Sequence, residues 1–202
     1  MLQLARPHRR HALPRTVALF GIYLALSVLT RLVILTTNDI VNVDESSYMV
    51  GAWELIHGHL PYAGFADNKP PLIYVYYALT QLIGHGMWAV RLVTALVTVP
   101  LTALAVSWFY RHDRRGCAAA LAYLVFSASY DAGEMLAVNC EVVMMLPLAW
   151  AIALMRDDEE FSQRRLLSVG ILLGVATLVK YQAVLWIPPI VASIWISDRA
   201  RR

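Results

Sequence analysis

The chain has 202 residues, of which 59% are hydrophobic and only 15% charged, with a formal net charge of +3. Soluble domains carry roughly 25% charged residues. Here the apolar residues come in runs separated by short charge clusters, which excludes a single water-soluble core and points to an all-α, polytopic membrane bundle. Lys and Arg gather between the runs and make no continuous basic face, so nucleic acid is excluded as a partner and membrane topology accounts for the charge.

Taken in chain order, Arg6-Pro7-His8-Arg9-Arg10-His11 precedes an apolar run from Val17 to Leu35. The run is about 19 residues, long enough to span, and no small-x-small cleavage site follows, so an uncleaved first helix with a cytoplasmic N-terminus is expected. Two further apolar stretches, Pro71 to Ile83 and Trp88 to Tyr110, lie before the next basic cluster at Arg111 to Arg115. Both basic clusters share the cytoplasmic side only if an even number of stretches cross. Pro71 to Ile83 is about 13 residues with three tyrosines, the signature of an interfacial segment, so 36–87 reads as one outer loop. Within that loop Tyr48, Met49, Ala52, Trp53 and Ile56 recur at helical spacing. They predict a short amphipathic interfacial helix, stopped by Gly58 and Pro61.

Beyond Arg115 the pattern predicts spans over 118–130, 142–155, 166–179 and 183–196, giving, with 17–35 and 88–110, about six spans in one module covering 1–202. The last two are thin for spans, and a buried hairpin is the alternative. This topology puts Asp44, Glu45, Asp67, Lys69, Glu134, Glu141 and Lys180 on the outer face.

Each of these residues has two readings. Asp44 opens the interfacial helix; Asn42 and Glu45 form a capping-box pattern there, and the competing role is a carboxylate that deprotonates a hydroxyl. Glu141, at the mouth of a predicted span, either faces headgroup water or joins the same chemistry. Glu134 reads as a solvated loop acid. Lys180 and Arg91 either snorkel or hold an anionic group, and Lys69 stands before two prolines that stiffen its backbone and place its side chain. Cys117 and Cys140 are separated by a predicted helix, too far apart to bridge. His57, His59 and His85 lack helical pairing and make a weak metal signal. No phosphate-binding loop, dinucleotide fingerprint or G-x-S-x-G motif occurs.

Val43-Asp44-Glu45-Ser46-Ser47-Tyr48, Gly58-His59-Leu60-Pro61-Tyr62, Asp67-Asn68-Lys69-Pro70-Pro71-Leu72, Ala89-Val90-Arg91-Leu92, Asn139-Cys140-Glu141 with Leu146-Pro147, and Thr177-Leu178-Val179-Lys180-Tyr181 follow one another along the chain. Together they resemble the polyprenol-phosphate-dependent membrane glycosyltransferases of the GT-C superfamily, in particular the protein mannosyltransferase and aminoarabinose transferase relatives. The resemblance implies a transferase of the plasma (inner) membrane that moves a sugar from a polyprenyl-phosphate carrier to a lipid, glycan or protein acceptor on the outer side, with inversion. It implies catalytic roles for Asp44, Glu45 and Glu141, with Asp44 as the base, and donor-phosphate binding by Lys69, Lys180 and Arg91. Some relatives carry a metal-linked acid directly before Lys-Pro-Pro, where this chain has Asn68, so no cofactor is assigned and a divalent metal stays open. Family members have several more spans, so the chain resembles the N-terminal portion of such an enzyme. The rival from another class is a transporter or lipid-binding scaffold, which would put its charges at mid-membrane rather than at the rim.

Overall fold

A computed structural model describes residues 12–36, 42–65, 67–128, 136–156 and 162–201; Glu134 lies outside them. Among the described residues the only regular secondary structure is helical, with no strand. The helices are α1 (Ala12–Leu35), α2 (Val43–Ile56), α3 (Leu72–Thr80), α4 (Met87–Phe109), α5 (Arg114–Phe126), α6 (Cys140–Ala153), α7 (Gln163–Val179) and α8 (Ile187–Arg201). A 3₁₀ turn, Tyr181–Trp186, leads into α8.

Several helices begin earlier than the apolar runs suggest, because polar caps recruit charged first turns. The Asp113 carboxylate accepts from the Gly116 N–H at 2.8 Å and starts α5 at Arg114. The Ser162 hydroxyl accepts from the Arg165 N–H at 3.3 Å and starts α7 at Gln163. At the other extreme α3 has 9 residues, about 14 Å of helix, half the thickness of a hydrocarbon core of about 30 Å. Two segments, Leu13–Leu35 and Met87–Phe109, are long and apolar enough to span, at 23 residues each. The remaining apolar helices are shorter, 13 residues in α5, 14 in α6 and 17 in α7.

Helix α4 contains a π turn at Thr94–Thr98. Pro100 lacks an N–H, and the Val99 N–H is given to the Thr94 carbonyl, so the Ala95 carbonyl has no partner within its own helix. The Ser27 hydroxyl of α1 supplies it at 2.8 Å, and Tyr76 of α3 reaches both the Thr94 and Thr98 hydroxyls at 2.8 and 2.9 Å. The irregular turn is thus where α1 and α3 dock on α4.

Two cores flank this helix. Tyr23 of α1 packs with Val99, Ala103 and Leu104 of α4 and Ala120 and Leu124 of α5. The larger core joins Tyr48, Tyr74 and Tyr77 of the loop helices to Val138, Val143, Met144, Leu173 and Val179. Polar groups gather at opposite ends of the helices. At one end the Arg15 guanidinium donates to the His112 carbonyl, Arg156 donates to the Trp108 carbonyl at 3.1 Å, and Arg165 binds the Leu154 and Arg156 carbonyls at the close of α6. At the other end stand α2, α3, the start of α6 and the end of α7.

Candidate active site

The site grows from the start of α2. Asn42 is the N-cap: its side-chain oxygen accepts from the Asp44 N–H at 2.8 Å. Capping therefore falls to Asn42, and the Asp44 carboxylate is left for other partners. Its Oδ2 accepts from Lys69 Nζ at 3.0 Å and from the Tyr48 hydroxyl, one turn on, at 3.0 Å. Partial burial works against the charged form, but the hydrogen bonds from Lys69 and Tyr48 outweigh it and hold the carboxyl below its ordinary value. Lys69 is the mirror case: burial lowers its pKa, and the bond to Asp44 more than restores it, leaving the ammonium above its usual range. Asp44 keeps 44% of its side chain exposed, so it is accessible and its ion pair contributes little to stability.

Glu45 points the opposite way. Its Oε2 meets Arg91 Nη2 at 2.7 Å, with both side chains at most 1% exposed, and its Oε1 accepts from the Val138 N–H at 2.9 Å. The Val138 carbonyl in turn accepts from the Tyr77 hydroxyl at 2.8 Å. Successive residues of one helix turn thus divide the work: Asp44 is exposed, and Glu45 ties α2 and α4 to the strip of chain that leads into α6. Neither Glu45 nor Arg91 reaches the accessible surface.

Glu141 lies in the first turn of α6 and is paired with Lys180, the C-cap of α7. Glu141 is 58% exposed and Lys180 15%. Lys180 lies close enough to lower the pKa of Asp44, so the two ion pairs form one cluster. Cys140 completes it, its thiol donating to the Tyr48 oxygen at 3.2 Å. Of the six residues predicted for the site, Asp44, Lys69, Glu141 and Lys180 come together at the rim, while Glu45 and Arg91 stand behind them.

A family model matches residues 68–202, about two-thirds of the chain: the dolichyl-phosphate-mannose-protein mannosyltransferase family. The chain belongs to this family. It is a membrane glycosyltransferase of the mannosyltransferase type, and the family works with a lipid-linked sugar donor and a protein or glycan acceptor. The match takes in Lys69, Arg91, Glu141 and Lys180 and begins after Asp44 and Glu45. No curated protein and no solved structure matches the chain.

Among the described residues no three His, Cys, Asp or Glu side chains stand close enough to hold a metal. His59 is bound to Glu54 at 2.5 Å and His57 to the Trp53 carbonyl at 2.8 Å, and Asn68 is exposed. The described residues thus assemble no metal site. Tyr48 and Cys140 were not legible as site residues. Their signal is the helical spacing that puts Tyr48 one turn after Asp44. Arg31 was missed too: it is buried near the end of α1 and donates to the Ser127 carbonyl and hydroxyl at 2.9 and 2.8 Å, closing α1 onto α5.

Proposed function

We propose that this mannosyltransferase-family chain moves a sugar from a polyprenyl-phosphate carrier to an acceptor hydroxyl of a lipid, glycan or protein at the outer face of the plasma membrane. The chain enters from the cytoplasm and crosses about six times, with the shorter helices accommodated by local thinning of the bilayer and by snorkelling of the flanking basic residues. Asp44 is the base: it takes the proton of the acceptor hydroxyl as the oxygen attacks the anomeric carbon and the carbon–oxygen bond to phosphate breaks, with inversion. Lys69 and Lys180 bind the carrier phosphate and stabilise the charge it gains on leaving. Glu141 holds Lys180 in place. Glu45 and Arg91 hold α2 in register so that Asp44 stays at the rim.

The observation that carries this reading is the pairing of the two accessible acids with the two lysines in one cluster, Asp44 with Lys69 and Glu141 with Lys180. An arriving phosphate competes for both ammonium groups. When Lys69 turns to the phosphate, Asp44 loses its strongest stabilising partner and becomes a better base, so donor binding and base activation are one event. Mass spectrometry of surface glycans and lipid-linked sugars in cells with and without the gene tests the assignment. Loss of a glycan together with accumulation of one polyprenyl-phosphate sugar is expected; unchanged profiles of both would count against it.

A further inference from the structure

The two oxygens of the Asp44 carboxylate stand in different settings. Oδ2 accepts two hydrogen bonds, from Lys69 Nζ and from the Tyr48 hydroxyl, each at 3.0 Å. Oδ1 takes no bond among the described residues, and the side chain is 44% exposed. One oxygen is held and the other is open to an incoming hydroxyl.

The partners of Oδ2 differ in how firmly they are themselves held. Lys69 carries its ammonium on a flexible stem that is 26% exposed, and a phosphate competes for that charge. Tyr48 has no such freedom. It is fully buried, and its ring meets those of Tyr74 and Tyr77 edge-on at 6.2 and 5.4 Å. Tyr77 is fixed in turn by its bond to the Val138 carbonyl. Tyr48 also stands one turn after Asp44 in α2, so the helix backbone sets the spacing of the pair.

The direction of the bond is fixed too. A carboxylate only accepts, so the single Tyr48 proton is spent on Asp44 and the phenol oxygen is left to accept. The buried Cys140 thiol, in the first turn of α6, donates to that oxygen at 3.2 Å. Cys140 S–H, Tyr48 O–H and Asp44 Oδ2 thus form a one-way chain. Burial raises the pKa of Tyr48 well above its ordinary value, so the phenol keeps its proton.

We propose that Tyr48 is the positioning residue of the base: it grips Asp44 Oδ2 once Lys69 has turned to the phosphate, so that Oδ1 takes the acceptor's proton, while Cys140 keeps the Tyr48 hydroxyl aimed. In the transfer step the acceptor O–H proton passes to Oδ1 and the acceptor oxygen bonds the anomeric carbon. The phosphate leaves with the electron pair of the broken carbon–oxygen bond, and the Tyr48 O–H and Cys140 S–H bonds stay intact. This inference rests on the transferase reading and names the oxygen that acts in it.

The test uses a Cys117→Ser background, in which Cys140 is the one remaining thiol. Tyr48→Phe keeps the ring and deletes the hydroxyl. In the infrared, the Cys140 S–H stretch should move to the position of an unbonded thiol in this variant; an unmoved band would overturn the chain whatever the activity. In transfer assays Tyr48→Phe should lower the plateau kcat by about tenfold or more with donor affinity unchanged. Its acid limb should move to higher pH, because Asp44 loses a hydrogen bond that favours its charged form. Cys140→Ala should lower kcat about threefold beside Tyr48 and not at all beside Tyr48→Phe, since it acts only through the phenol. A contact that merely stabilises α2 predicts a lower melting temperature with parental kcat, and that result would overturn the proposal. A fall in kcat with an unmoved acid limb, or a Cys140→Ala loss that is equal in both backgrounds, would overturn it as well. A parent that shows the infrared shift but transfers no sugar from a lipid phosphate would instead sink the transferase reading, and the role given to Tyr48 with it.

Discussion

Breaking the Glu45–Arg91 pair should be the most damaging conservative change in the outer region. Both side chains are at most 1% exposed, and Glu45 is also the acceptor for the Val138 N–H, so removing one partner strands a charge away from water. Arg91→Met leaves a buried carboxylate, and Glu45→Gln leaves a buried guanidinium; loss of one member of such a pair costs about 3–5 kcal/mol. For a chain of this size that corresponds to a fall in melting temperature on the order of 10 °C. The double variant removes both charges, and its glutamine can still accept from Val138, so it should lose clearly less than the sum of the singles, with a coupling of about 2 kcal/mol or more. Thermal unfolding in detergent, followed by circular dichroism and by size-exclusion recovery, measures all three. Additive losses, or singles within about 1 kcal/mol of the parent, would refute the reasoning, because they would mean that water reaches the pair.

Three further outcomes are expected. Asn42→Ala should cost about 1 kcal/mol of stability and spare turnover, since capping belongs to Asn42 and the base to Asp44; a large loss of turnover at unchanged donor affinity would contradict that division. Because Lys69 and Tyr48 hold Asp44 below its ordinary pKa against the opposing effect of burial, kcat/KM should stay high until pH falls through that lowered value. Lys69→Met should raise the pKa and shift the acid limb to higher pH, and an unmoved limb would show that Lys69 does not set the base. In a Cys117→Ser background, Ala63→Cys and His85→Cys, both at exposed positions, should react with an impermeant thiol reagent from the same outer side; opposite sidedness would mean that α3 crosses.

Helix existence was legible because apolar runs and punctuation residues are local signals. The run from Trp88 to Tyr110 became Met87–Phe109, and Pro71 to Ile83 became the nine-residue α3, Leu72–Thr80. The starts of α5 and α7 were misjudged, because hydropathy ignores the polar first turns that Asp113 and Ser162 recruit. Six crossings were expected, and only α1 and α4 reach spanning length. Asp44, Lys69, Glu141 and Lys180 could be named from polarity at the ends of apolar runs. Which acid meets which lysine could not, because those contacts bridge 25 and 39 residues. The division between Asp44 and Glu45 was the least legible feature. The two are adjacent and chemically alike, and only the buried Arg91 guanidinium and Val138 N–H, both distant in sequence, draw Glu45 inward and leave Asp44 exposed.

The central claim is that Asp44 is the base of a sugar transfer from a lipid phosphate. The most direct measurement is single-turnover transfer by the protein reconstituted in liposomes loaded with a polyprenyl-phosphate sugar and an acceptor, with release of free polyprenyl phosphate followed by mass spectrometry. The parent should consume the donor and form the glycosylated product. Asp44→Asn should bind the donor as well as the parent but transfer about 100- to 10,000-fold more slowly. Transfer by Asp44→Asn at the parental rate, or intact donor in the presence of the parent, would contradict the account.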